Sequence, residues 1–230
     1  MPYKLSSTCQ IQDLDKIYYK YFGEISTGYF IEVGAFDGES VSNTSCLADC
    51  GWKGIYIEPV LEHYVQCNNR HIHNNVIVAN LSIGLEEGEQ EIYCSGIVST
   101  LDKTQSETIS GMDIFNCPSF TKSKCYQMRF DTFLRKYNVP KNFDLLVIDV
   151  EGREEQIFAS FDLEEWRPKM LIVELVDEHP EFQEKFPKSV KQSENLRSYI
   201  RMKNYSEIYK DHINTVFILN DYITGNTDVQ

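Results

Sequence analysis

The chain has no run of about 18 apolar residues, which excludes a helix that crosses a membrane. Its opening, Met1-Pro2-Tyr3-Lys4-Leu5-Ser6, lacks the apolar stretch of a secretion signal, so a cytoplasmic location is expected. Basic residues are scarce: 22 Lys and Arg face 35 Asp and Glu, a formal charge of −13. Nucleic acid and anionic membranes both need neutralising cations, so neither is an expected partner. No C-x-x-C pair occurs among the seven cysteines. Cys46 and Cys50 are spaced to share a helix face, yet no histidine lies at finger-like spacing, and scattered reduced thiols are expected. Asn43, Asn80 and Asn204 each begin an Asn-x-Ser/Thr triplet, which without a signal segment is a chance match. Internal repeats, low-complexity tracts and linkers are also missing, and 230 residues suit a single α/β domain with a full core.

What is present is concentrated in Phe30-Ile31-Glu32-Val33-Gly34-Ala35-Phe36-Asp37-Gly38. A short apolar run stops at a glycine, as a buried strand does when it feeds a tight turn that brings backbone N–H groups close to a ligand. A second apolar run, Gly54-Ile55-Tyr56-Ile57, ends on Glu58, which lies 24 positions after Gly34. An acid about 20 residues past such a turn accepts hydrogen bonds from ribose hydroxyls. The G-x-G-x-x-G pattern of dinucleotide sites is missing, because Phe36 stands where the second glycine belongs and Asp37 follows it. A carboxylate there repels a pyrophosphate. The turn therefore suits a ribose that carries an ammonium or a sulfonium and no phosphate, a description S-adenosylmethionine meets.

Spacing along the chain predicts the remaining elements. Leu14, Ile17, Tyr18 and Tyr21 mark a leading helix over one edge of the sheet, so residues 1–26 form an N-terminal cap. Strands are expected at Tyr29–Val33, at Gly54–Ile57 running to Glu58, at Val76–Ala79, Glu91–Cys94, Tyr126–Phe130, Phe143–Ile148 and Met170–Val173. Helices are expected at Asn43–Cys50, Leu61–Asn69, Thr132–Tyr137, Glu154–Phe161 and Glu194–Lys203. Residues 95–124, rich in Ser, Thr and Gly, read as a long loop of the kind that forms lids. Tyr205–Tyr209 and Thr215–Leu219 are joined by too few residues for a helical crossover, so they pair antiparallel. The sum is a doubly wound, Rossmann-like α/β sheet, mostly parallel, with one antiparallel strand near the C-terminus.

Three blocks then give a resemblance: Phe30–Asn43, Gly51-Trp52-Lys53-Gly54 through Glu58-Pro59, and Asp149-Val150-Glu151-Gly152-Arg153-Glu154. Together they resemble the FkbM family of S-adenosylmethionine-dependent methyltransferases, loosely over residues 27 to 220. The third block is similar to the family's Asp-x-Glu-Gly-x-Glu signature. The resemblance implies a class I methyltransferase sheet with S-adenosylmethionine as cofactor. It places Glu32, Gly34, Asp37 and Gly38 at the methionine end, Glu58 at the ribose, and Asn80 and Ser82 near the adenine. It also implies methylation of a hydroxyl on a sugar, glycan or natural-product scaffold. Phe36 departs from the Asn common at that position, and residues 95–124, where acceptor specificity would reside, match nothing in the family.

Open α/β sheets bind ligands outside the carboxyl ends of their strands, and Asp149 and Glu174 end two strands expected to be neighbours. A free Asp has a pKa of about 3.9, far below an alcohol, so a lone carboxylate is a poor base. Two remedies are open. His179 acts as the base, or Asp149, Glu174 and Glu151 hold Mg²⁺ or Mn²⁺, which acidifies the hydroxyl. Glu151 and Glu154 are equally well placed to cap the helix after Gly152. Trp52 and Trp166 are expected in packing roles, and His63, His71 and His73 at the surface. Two other functions remain: a non-catalytic cofactor-binding module, and a nicotinamide-dependent oxidoreductase, which Phe36 and Asp37 disfavour.

Overall fold

Residue alternation along the strands sorts the core into two layers. In the computed structural model, which describes residues 3–24, 27–95, 98–101 and 120–226, β1 (Tyr29–Val33), β2 (Lys53–Ile57), β3 (Val76–Ala79), β8 (Leu145–Ile148) and β9 (Met170–Glu174) run parallel. With β10 (Tyr205–Lys210) and β11 (Asn214–Leu219) they form a seven-stranded sheet in the order β10-β11-β9-β8-β1-β2-β3. Strand β11 is antiparallel to both neighbours, the one reversed strand that the short 210–214 connection requires.

Ile31, Ile57, Leu146, Leu171 and Phe217 point to one face, where α4 (Phe130–Lys136), α5 (Glu154–Phe158) and α8 (Pro187–Met202) supply Phe133, Phe158 and Leu196. Phe30, Tyr56, Val147, Ile172 and Val216 point to the other, against α1 (Leu14–Phe22), α2 (Ser45–Asp49) and α3 (Leu61–Arg70). The leading helix thus lies on a face and not over an edge. Its stripe Leu14, Tyr18 and Phe22 is buried against the sheet, and Phe22 meets the fully buried Trp52 edge to face at 5.2 Å. An apolar stripe shows that a helix packs; it does not show where. Three short helices have no counterpart among the expected elements: α6 (Leu163–Trp166), α7 (Pro180–Lys185) and α9 (Asn220–Asn226). Helix α8 begins at Pro187, well before Glu194, with proline in the first turn where its missing N–H costs nothing.

The second departure is larger. β4 (Ser82–Ile83), β5 (Gly88–Ser95), β6 (Val98–Thr100) and β7 (Thr121–Met128) form a second sheet in the order β4-β7-β5-β6. The two ends of the expected loop, at Ser95, Val98–Thr100 and from Thr121 on, are therefore strand. In β7 only Cys125, Gln127 and Met128 are buried, and Lys122 and Lys124 pair across the sheet with Glu91 at 3.4 Å and Glu89 at 3.2 Å. A strand with so little apolar alternation gives no periodic signal. Residues 102–119, the middle of the expected loop, lie outside the described residues, and Cys117 with them. Among the described residues no helix is long and apolar enough to cross a membrane, and Cys9, Cys46, Cys50, Cys67, Cys94 and Cys125 are free thiols.

Candidate active site

The turn after β1 is built around an approach that only glycine permits. Gly34 has φ 90°, and a Cβ there would lie 1.8 Å from the carbonyl oxygen of Asp149. The turn thus passes directly over the end of β8. The N–H groups of Gly34 and Ala35 donate to the carbonyl of Ile57 at 3.0 and 3.1 Å, which ties the same turn to β2. Phe36 follows in a left-handed conformation, φ 49°, rare for a bulky side chain. That strain aims its N–H at Glu58, whose Oε2 accepts it at 2.9 Å. The N–H of Val60 donates to Oε1 at 2.7 Å, and Asn80 Nδ2 donates to the Glu58 carbonyl at 2.9 Å. Burial pushes the Glu58 carboxyl up to about 7 in spite of the two backbone donors.

A cleft of ≈ 830 Å³, open to solvent at its mouth, lies over these strand ends. Of the expected site residues, Gly34, Glu58, Ser82, Asp149 and Glu151 line it. Asn80, which is exposed, is not among its lining residues; its amide spans the carbonyls of Glu58 and Pro59. Three more stand behind the wall and hold it in shape. Buried Glu32 accepts from Ser42 Oγ at 2.9 Å, Asn43 N at 3.1 Å and Thr44 Oγ1 at 2.5 Å, which fixes the segment that starts α2. Burial raises it to about 7. Burial also works against ionised Asp37, but bonds from Glu39 N, Ser40 N and Ser40 Oγ outweigh it and lower its pKa. Gly38, φ 77°, leaves room for Cys67 and His71, where a Cβ would come within 2.7 and 2.8 Å.

Across the cleft lies a cluster of carboxyl groups. Ile148 of β8 pairs with Val173 of β9, so Asp149 and Glu174 emerge side by side. Burial raises both, and the charge of Asp149 raises Glu174 further; hydrogen bonds with the Glu174 and Gln10 side chains hold Asp149 below where burial alone would put it. One oxygen of Glu174, Oε2, is buried without a hydrogen-bond partner among the described residues. Glu151, φ 56°, lines the cleft and is raised by burial and by the neighbouring Asp149 and Glu154. Glu154 has a capping role: its Oε1 accepts from Val150 N at 3.1 Å and Gly152 N at 3.2 Å, which locks the Asp149–Arg153 segment ahead of α5.

The structure does not bring His179 into this arrangement. It stands at the N-terminus of α7, its ring against Phe182 and His212, and it is not among the residues lining the cleft. Among the described residues no group of three or more His, Cys, Asp or Glu is disposed to hold a metal ion, so the expected Mg²⁺ or Mn²⁺ set of Asp149, Glu174 and Glu151 is not found there. Two histidines expected at the surface are elsewhere. His71 is buried, stacked on Tyr56 at 4.4 Å, with Nε2 at 2.8 Å from the Gly38 carbonyl oxygen. His63 lines the cleft beside Glu58. A Glu-x-x-x-x-His spacing from the end of a strand into the first turn of a helix is the sequence signal that identifies it.

This sheet order, with its single reversed strand and its cleft at the carboxyl ends, is the fold of the class I methyltransferases. An O-methyltransferase from Bacillus cereus, solved with S-adenosylhomocysteine, superposes with a TM-score of 0.50 at 13% identity over 93% of this chain and 84% of that one. A protein from Staphylococcus aureus assigned as a caffeoyl-CoA O-methyltransferase superposes equally, TM-score 0.50 and 13% identity, over 92% of this chain and 86% of that one. No curated protein matches the sequence. The Methyltransferase FkbM domain matches residues 32–207, and the chain belongs to that family.

Proposed function

We propose that the chain transfers the methyl group of S-adenosylmethionine to a hydroxyl of a sugar, a glycan or a glycosylated small molecule, in the cytoplasm. The observation that carries this is Glu58: a buried carboxylate at the end of β2, lining the cleft, with one backbone donor on each oxygen. Each oxygen keeps lone pairs for a ribose diol. The turn over Asp149 has no room for a side chain at Gly34, and ionised Asp37 within it opposes a pyrophosphate. These residues fit S-adenosylmethionine and do not suit a dinucleotide.

When bound, the cofactor supplies an electrophilic methyl group on a sulfonium sulfur. The chain's own part is to position the acceptor in line and to take its proton. Asp149 is the group for the second task. Burial lifts it above an ordinary Asp, which narrows the gap to an alcohol. Hydrogen bonds with the Glu174 and Gln10 side chains hold its carboxylate, so it accepts the hydroxyl proton in a fixed orientation. The test is titration calorimetry with S-adenosylmethionine, S-adenosylhomocysteine and NAD, followed by release of S-adenosylhomocysteine against a panel of deoxy sugars and glycans. Binding of both sulfur compounds and turnover on a sugar are expected. Tight NAD binding with no response to either sulfur compound overturns the proposal, and binding without turnover on any acceptor leaves a cofactor-binding module.

A further inference from the structure

His63 stands in the first turn of α3 with its side chain 12% exposed, and its Nδ1 lies 3.9 Å from Glu58 Oε1. That separation is too long for a direct hydrogen bond, yet a hydroxyl oxygen about 2.8 Å from each atom fits between them. The ring is fixed for such a contact. It packs edge to face on Phe36 with centroids 4.3 Å apart, and Phe36 is the residue whose left-handed backbone brings its N–H to the other oxygen of Glu58. Strain at Phe36 thus serves both halves of one arrangement, a carboxylate and an imidazole edge converging on the same point of the cleft wall.

We propose that His63 is the second half of a ribose clamp: one ribose hydroxyl donates to Glu58 Oε1 and accepts from the Nδ1–H of His63. This rests on the reading of the cleft as an S-adenosylmethionine site, and it adds a residue that makes the site select for that hydroxyl. A buried acceptor alone holds a diol loosely, because the hydroxyl rotates about its C–O bond; a donor on the far side fixes it. The lowered pKa of His63, which burial causes, agrees with a neutral ring that has one N–H to give.

The experiment measures S-adenosylhomocysteine binding by calorimetry at pH 8 for the wild type, His63→Phe and His63→Asn, alongside the 2′-deoxy and 3′-deoxy analogues. Phenylalanine keeps the ring edge on Phe36 and removes the donor; asparagine keeps a donor near the position of Nδ1. The expected result is an affinity about tenfold lower for His63→Phe and within about threefold of wild type for His63→Asn. With one of the two deoxy analogues, the one lacking the clamped hydroxyl, wild type and His63→Phe bind alike. A His63→Phe affinity within twofold of wild type for S-adenosylhomocysteine overturns the clamp. An equal loss against both analogues also overturns it, since the contribution is then packing. No binding by the wild type overturns the reading of the cleft itself.

Discussion

The buried Glu58 makes cofactor affinity a function of pH, with a sign fixed by the structure. In the empty cleft burial raises this carboxyl to about 7. A ribose diol donates to the ionised form, so binding favours deprotonation, and affinity is full above the empty-site pKa and falls below it. At pH 8 about 90% of the sites are ionised, and at pH 5.5 about 3%. The dissociation constant for S-adenosylhomocysteine should therefore rise about 30-fold between these pH values, about 2 kcal/mol. Glu58→Gln should bind about 10- to 100-fold more weakly at pH 8, the loss of a charge-assisted bond worth about 1.5–3 kcal/mol. Its affinity should then hardly change down to pH 5.5. Calorimetry in buffers of different ionisation enthalpy gives both the constant and the proton released near pH 7. A flat wild-type profile refutes the reasoning, and so does a Glu58→Gln variant that keeps the wild-type slope, since the titrating group would lie elsewhere.

Other expectations follow from the same geometry. Asp149→Asn should lower kcat at least about 100-fold and leave cofactor affinity within a few-fold, measured by S-adenosylhomocysteine release and calorimetry. His179→Ala and excess EDTA should each leave kcat within about twofold, because among the described residues neither His179 nor a metal-holding group lines the cleft; loss of rate with EDTA and its return with Mg²⁺ would restore the metal route. Trp52→Ala should cost about 3–5 kcal/mol in urea unfolding, since the ring is fully buried among Phe22 and Phe30 and their neighbours. Glu32, Glu58 and Glu154 are each raised to about 7. A raised acid binds its proton more tightly folded than unfolded, so its stabilisation is full below about 4.3 and is lost as pH rises to 7. Burial lowers His63 and His71, which work in the opposite direction within that window. The three acids outnumber them, and the melting temperature should fall from pH 5.5 to pH 8.

The parallel strands were legible because each is a short apolar run with a hard stop: Val33 before Gly34, Ile57 before Glu58 and Pro59, Ile148 before Asp149. Glu58 was legible for a related reason, since spacing from a glycine turn is a property of the βαβ unit and survives without any other knowledge. Only the end of strand β7, inside the expected Tyr126–Phe130, was legible; the stretch Thr121–Lys124 was not, because it is exposed and carries Lys and Ser where an apolar alternation would mark a strand. Helix α1 was found and misplaced, because amphipathicity carries no address. Glu32 and Asp37 show a limit of another kind. A carboxylate near a glycine turn has the same sequence pattern whether it meets a ligand or ties down its own loop, and here both bond to Ser and backbone groups of the following turn. Glu154 resolves the other way, as the cap its position before α5 allowed. His63 reads as a surface residue because a histidine in the first turn of a polar helix is ordinarily solvated, although its spacing from Glu58 carries the signal that places it in the cleft.

The most direct test of the account is to incubate the protein with S-adenosylmethionine carrying an isotopic methyl label and a panel of sugars and glycans, each with a matched analogue deoxygenated at one position. The account predicts a labelled O-methyl sugar, resolved by its methyl resonance, lost for the analogue that lacks the accepting hydroxyl and lost in Asp149→Asn. Label on nitrogen or carbon, or no transfer from a protein that binds the cofactor, would contradict it.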